Sequence, residues 1–177
     1  MNELSENIKV YCRFRPHNEL ELSHSTNNSV ILLSQKELII TQDKKLELKT
    51  NYEFDCLFEY NSSKEVFYNK TSRPIVSAVL QGYNGGIICY GETGTGKTYT
   101  LNEIIPRVGA QLFEFINQSD TENELFKIDI SIIEIYKEQV NDLFINFCSS
   151  KVSPTILVFE ILSLPSKSTK YNFPILI

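Results

Sequence analysis

Gly91-Glu92-Thr93-Gly94-Thr95-Gly96-Lys97-Thr98 is the stretch whose reading decides the fold. It fits the pattern G-x-x-x-x-G-K-S/T, in which glycines let the backbone fold tightly enough for successive N–H groups to point inward at an anion. Before it, Gly86-Ile87-Ile88-Cys89-Tyr90 reads as a short buried strand, introduced by the turn residues Tyr83-Asn84-Gly85. After it, Leu101, Ile104, Ile105, Val108, Leu112 and Ile116 recur at three- and four-residue spacing, the apolar stripe of a helix. Strand, glycine loop and helix, in that order, form a phosphate-binding loop with the positive helix end facing the anion. Lys97 is predicted to reach the β- and γ-phosphates of a nucleotide, and the Thr98 hydroxyl to ligate Mg²⁺. A glycine-rich turn that happens to precede a helix is the plain alternative. Glycine, lysine and threonine in register between the right elements argue against it.

Working outward, 177 residues suffice for one ordinary domain and its core. An apolar fraction of 42% with 22% charged residues is that of a globular chain, and a net charge of −5 gives no general attraction to nucleic acid or acidic membranes. Neither is expected as a partner. Cys12, Cys56, Cys89 and Cys148 form no C-x-x-C pair, which favours buried reduced thiols in a cytosolic protein over a zinc site. Residues 1–7 are polar and lead into a strand, so no signal peptide is expected; the apolar run from Ile156 to Leu162 contains Glu160 and is too short to span a bilayer.

Ile8, Val10, Cys12 and Phe14 alternate with Lys9, Tyr11, Arg13 and Arg15, the period of a half-buried strand stopped by Pro16. On pattern alone the two arginines read as a solvated face. Val30 to Leu33, Leu38 to Ile40 and Leu46 to Leu48 predict a small antiparallel meander, and Tyr52, Phe54, Cys56 and Phe58 a further strand. Ser62 and Glu65 predict a capping box opening a helix that Pro74 should kink and Gly82 should end. Pro106 is expected to bend the helix after the loop. Phe126 to Ile132 alternate as a long strand, and Val140, Leu143, Phe144 and Phe147 return to helical spacing. Beyond Cys148 the serines and Pro154, Pro165 and Pro174 leave no confident element.

Taken together, Ile8-Lys9-Val10-Tyr11-Cys12-Arg13-Phe14-Arg15-Pro16, Tyr52-Glu53-Phe54-Asp55, Gly82-Tyr83-Asn84-Gly85, the loop with Tyr99-Thr100, Ile104-Ile105-Pro106-Arg107 and Glu134-Ile135-Tyr136 resemble kinesin motor domains, in the same order. Cys12 to Glu19 resembles the conventional kinesin heavy chain type in particular. The resemblance covers residues 8 to about 144. It implies an α/β fold of the phosphate-loop NTPase class, a mixed central sheet with helices on both faces, present here in its N-terminal part only. The implied layout is a polar segment at 1–7, motor-domain sequence at 8–147 and a tail without family resemblance at 148–177. The implied ligand is ATP with Mg²⁺, held by Gly91, Glu92, Thr93, Gly94, Thr95, Gly96, Lys97 and Thr98. Arg13, Arg15, Pro16 and Tyr99 are implied as contacts to the base, where a flat ring at Tyr99 can stack on adenine. Microtubules are the implied partner and the cytoplasmic cytoskeleton the implied location, with the dimerisation region outside this chain.

Three departures accompany the resemblance. The loop that usually follows the Thr100 position is reduced to Leu101-Asn102-Glu103, and Gly86 stands where threonine is common. The switch strings N-x-x-S-S-R-S-H and D-L-A-G, which orient the attacking water and sense the γ-phosphate in kinesins, do not occur in the 177 residues. Such a chain is expected to bind ATP more readily than to hydrolyse it. The strands flanking the loop strand also belong, in the family, to the unmatched half, so two exposed edges are expected there. Two other readings follow: a non-motile nucleotide-binding remnant or regulatory fragment, and a phosphate-loop ATPase of another family with Glu160 at the metal. The loss of resemblance after Phe144 suggests a frame change, a retained intron or a truncated gene.

Overall fold

The computed structural model describes residues 8–23, 30–41, 49–119, 124–144, 155–165 and 171–176. The chain divides into two compact units, Met1–Phe67 and Tyr68–Ile177.

In the first unit β1 (Tyr11–Arg13) pairs in parallel with β5 (Cys56–Phe58), Cys12 opposite Leu57. Only three residues of the long alternating run join this ladder, and Ile8 is 90% exposed. Asp55 fastens the entry to β1. Its carboxylate accepts the Val10 N–H at 2.8 Å, its own N–H donates to the Val10 carbonyl at 2.9 Å, and Lys9 lies 3.3 Å from its other oxygen. These bonds hold the Asp55 pKa below the usual carboxylate value, the Val10 N–H contributing most. Cys56, Leu57 and Phe58 are all buried, and Phe67 meets the Phe58 ring edge-on at 4.8 Å.

The meander is present as β2 (Val30–Leu32), β3 (Glu37–Thr41) and β4 (Lys49–Glu53), antiparallel in that order. The run Leu46 to Leu48 lies outside the described residues, and Lys49–Glu53 is the strand that pairs. The single strand expected from Tyr52 to Phe58 is two. The Phe54 N–H donates to the Lys36 carbonyl at 2.8 Å while Asp55 turns to Val10, so the chain leaves the meander at Phe54 and joins β1 at Cys56.

The next helix, α2 (Lys64–Leu80), begins one residue later than the serine pattern predicts, because Ser63 rather than Ser62 caps it: its Oγ accepts the Val66 N–H at 3.1 Å. It ends as predicted at Gly82 (φ 100°). There the Gly82 N–H donates to Val79 and the Tyr83 N–H to Ala78, the paired bonds of a Schellman ending. Pro74 and Pro106 both lie inside continuous helices.

The second unit carries α3 (Lys97–Gln118) and a five-stranded sheet in the order β6 (Gly85–Gly86), β10 (Tyr171–Leu176), β9 (Thr155–Pro165), β7 (Glu124–Tyr136), β8 (Gln139–Asp142). β6 and β10 are parallel; the other pairs are antiparallel. Val76 and Val79 from α2 are fully buried, and so are Ile104, Val108 and Leu112 from α3 to within 2%. Gln111 ties the two helices by its amide. It accepts from the Tyr68 hydroxyl at 2.6 Å and donates to Ser77 Oγ at 3.0 Å and the Arg73 carbonyl at 3.3 Å. Burial pushes the Tyr68 phenol up to about 12, so it remains a proton donor at any physiological pH.

Four expectations are corrected in this unit. The run Gly86 to Tyr90 is not a buried strand: among the described residues only Gly85-Gly86 pairs, and Ile88 and Tyr90 are 85% and 99% exposed. Among the described residues the ladder consists of Ile175 opposite Gly85 and Leu176 opposite Gly86. The expectation of two free edges on the loop strand is corrected at Gly85 and Gly86 alone, where β10 lies along one of them. Val140 is not the start of a helix but the centre of β8, paired with Ile135 across a two-residue turn at Lys137 and Glu138. The proline-rich end, where no element was expected, supplies β9 and β10; Phe147 lies outside the described residues.

Gly85 sets how closely β6 lies on α2. A Cβ there would fall 2.6 Å from Val79 Cγ2 and 2.7 Å from Ile75 Cγ2, neither of them a mobile chain end. Gly85→Ala is expected to cost about 1–3 kcal/mol by overpacking, read as a lower urea midpoint at unchanged slope.

Candidate phosphate-binding site

The loop between β6 and α3 owes its shape to its glycines. Gly94 (φ 86°) and Gly96 (φ 100°) are left-handed, a conformation costly for any residue with a Cβ, and Gly96 is the N-cap of α3. Gly91 (φ 153°) also lies at positive φ, and a Cβ on it would in addition meet Thr95 Oγ1 at 2.6 Å. Thr95 itself closes the turn, donating from its hydroxyl at 2.8 Å and its N–H at 3.3 Å to the Glu92 carbonyl.

Lys97 opens α3 and folds back over the loop, its ammonium donating to the carbonyls of Gly91 (2.7 Å) and Glu92 (2.8 Å). A positive charge is thereby held at the mouth of the loop, beside the N-terminal N–H groups of a 22-residue helix whose first turn contains no acidic residue. Thr98 is exposed one residue further on, and the Tyr99 ring is 56% exposed. Gly91, Glu92, Thr93, Gly94, Thr95, Gly96, Lys97, Thr98 and Tyr99 are thus gathered on one loop and one helical turn. Chemically this is a cradle for an anion of several charges, with the Thr98 hydroxyl at the start of the helix beside it. A single neutral oxygen suits Mg²⁺, which keeps most of its waters and takes its other ligands from phosphate. Among the described residues no three His, Cys, Asp or Glu side chains group as a metal site.

Arg13, Arg15 and Pro16 belong to the first unit. Arg13 is half-buried, its guanidinium 4.6 Å above the Phe67 ring, so the solvated-face reading fails for it. Arg15 is exposed but forked onto both carboxylate oxygens of Glu21 and onto the Pro16 carbonyl. Glu21 lies in a short helix, α1 (Glu19–Ser23), and makes a reciprocal capping box with Asn18: each side chain takes the other's N–H at 2.8 Å. His17 Nδ1 is 3.7 Å from the same carboxylate. Arg15 therefore has a fixed plane, whose face rather than its edge is left to meet a flat partner.

The Arg15 fork, then the Asn18 N–H, lowers the Glu21 pKa from 4.5 to about 2. A folded-state pKa below the unfolded one means stability that is complete above about 4.5 and drains away as pH falls toward 2. Glu21→Gln should flatten that acid limb, checked by thermal melts between pH 2 and 5.

Sequence reasoning passed over Glu21 and Gln111, and placed Asp55 in a motif without its partner Val10. Asn18-x-x-Glu21 carried the capping-box signal; Gln111 carried none. Glu160, the alternative metal residue, sits in mid-strand on β9 between Asp129 and Pro174. β9 runs antiparallel to β10, hence to the loop strand, and is one strand removed from it. Its backbone position is not at the end of a strand beside the loop, as that role requires.

A family profile described as the kinesin motor domain matches residues 13–158. Kinesin-related protein 3 of Dictyostelium discoideum is 34% identical over 148 residues, 77% of this chain and 12% of that protein. Human kinesin-1 heavy chain is 37% identical over 153 residues, 81% of this chain and 15% of that protein. The chain therefore spans only a small part of the length of these relatives. A solved structure described as that of "a fast kinesin", with "implications for ATPase mechanism and interactions with microtubules", superposes with a TM-score of 0.82 at 20% identity, over 96% of this chain and 64% of the other. That match speaks for the fold.

Proposed function

The chain belongs to the kinesin motor domain family, and on that premise we propose that it is the nucleotide-binding part of a microtubule motor. The observation that carries this reading is the loop: left-handed Gly94 and Gly96 opening α3, with the Lys97 ammonium poised on the loop's own carbonyls. Lys97 exchanges those carbonyls for β- and γ-phosphate oxygens, the α3 N-terminus supplies N–H donors, and Thr98 Oγ1 holds Mg²⁺. The metal neutralises phosphate charge when bound. Arg13, Arg15, Pro16 and Tyr99 contact the base, with the aromatic ring and the guanidinium plane as flat surfaces.

Tubulin polymer is the partner and the cytoskeleton the location under this reading. A second reading is a nucleotide-binding fragment that does not move. One experiment separates them. Purified chain is titrated with fluorescent ATP, then assayed for phosphate release with and without microtubules. Binding with microtubule-stimulated release supports the motor; binding alone supports the fragment; no binding removes both.

A further inference from the structure

Among the loop residues Glu92 is out of keeping with an anion site. The other side chains of the loop, Thr93, Thr95, Lys97 and Thr98, are neutral or positive, and α3 has no acid in its first turn. Glu92 alone brings a negative charge, and it cannot drift far, because its carbonyl is held by three donors: the Lys97 ammonium at 2.8 Å, the Thr95 hydroxyl at 2.8 Å and the Thr95 N–H at 3.3 Å. Its side chain is exposed at the rim. A carboxylate tethered beside a phosphate cradle repels what the cradle attracts.

We propose that Glu92 is a selectivity residue of the loop, one that discriminates against metal-free polyphosphate and makes the site take its nucleotide as the magnesium complex. The proposal rests on the reading of Gly91 to Thr98 as the nucleotide site. Its physical basis is charge counting. Free ATP carries about four negative charges near neutral pH and its magnesium complex about two, so a fixed negative charge costs the free form about twice as much. At a separation of several ångströms in water each pair of charges is worth a modest factor. The summed effect is on the order of three- to tenfold for free ATP, and roughly the square root of that for the complex. Neither steric fit nor hydrogen bonding predicts such a ratio, since Glu and Gln are nearly the same size.

The test compares purified chain with Glu92→Gln, by nucleotide titration in excess Mg²⁺ and in chelator, at low and high salt. Exposure of the side chain means the variant folds, which its melting curve checks. The expected result is tighter binding by the variant, with the gain in chelator larger than in Mg²⁺, and with both gains shrinking as salt rises toward 1 M and the screening length falls to about 3 Å. Glu92→Lys should extend the same trend. Equal gains in the two conditions, no gain, or loss of binding in Mg²⁺ by the Gln variant would each overturn the proposal, the last by making Glu92 a metal ligand. If neither protein binds nucleotide in any condition, the nucleotide reading of the loop fails and takes this proposal with it. If both bind alike, only the proposal fails.

Discussion

Lys97→Ala is expected to weaken the chain's affinity for MgATP by a hundredfold or more. A charge-assisted hydrogen bond to phosphate contributes about 1.5–3 kcal/mol, and an ammonium reaching two phosphate groups makes at least two. About 3 kcal/mol is already more than two decades in the dissociation constant. A second consequence has to be kept apart from the first: the same ammonium holds the Gly91 and Glu92 carbonyls, so its removal also loosens the loop. Lys97→Arg separates the two. It preserves the charge, and so most of the long-range attraction, but replaces a point donor with a planar fork that does not fit the same two carbonyls. Binding should fall in the order wild type, Lys97→Arg, Lys97→Ala, while melting temperatures stay close together because the loop is largely exposed. A variant series with unchanged affinity would show that Lys97 does not meet phosphate, and the loop would then be a structural turn.

The loop was legible in the sequence because its chemistry is local. Each glycine, the lysine and the threonine act within eight residues, and the helix after them announces itself by the four-residue spacing of Ile104, Val108 and Leu112, the three residues the structure buries most deeply on α3. What was not legible depends on partners far along the chain. Gly86 to Tyr90 has the composition of a buried strand, yet strand pairing is a property of the neighbour, and among the described residues β10 meets this run only at Gly86. Val140 to Phe144 has helical spacing, but the turn before it decides otherwise. Lys137 (φ 49°) and Glu138 (φ 64°) both take the positive φ of a two-residue hairpin turn, without the Asn-Gly or Asp-Gly signature that makes such turns readable. Asp55 was visible as part of a motif, but its partner Val10 is 45 residues away, so its task of fastening β1 was not.

Leu112→Ala is expected to remove about 2–5 kcal/mol from the stability of the second unit, a large share of the 5–15 kcal/mol that holds a typical domain. Leu112 is 1% exposed, so nearly all of its transfer free energy is lost, and a cavity remains beside it. The wall of that cavity cannot easily collapse, because the adjacent Gln111 is held by Tyr68, Ser77 and Arg73 and fixes the spacing of α2 and α3. The upper half of the range is therefore the expectation, read as a fall in the urea midpoint of the helical signal. Phe113→Ser is the matched control: one residue along the same helix but 60% exposed, it should change stability by less than about 1 kcal/mol. Neither substitution touches the loop, since Leu112 lies four turns from Lys97 along α3, about 22 Å at 1.5 Å per residue. Below its unfolding transition Leu112→Ala should thus bind nucleotide as tightly as the parent protein, whereas Lys97→Ala melts like the parent and binds poorly. That double dissociation would assign α3 two separable duties, with its N-terminus meeting the ligand and its middle supplying the core. If Leu112→Ala instead lost affinity while still folded, the loop geometry would depend on packing four turns away, and the local reading of the loop would have to give way to one in which the whole helix moves with it.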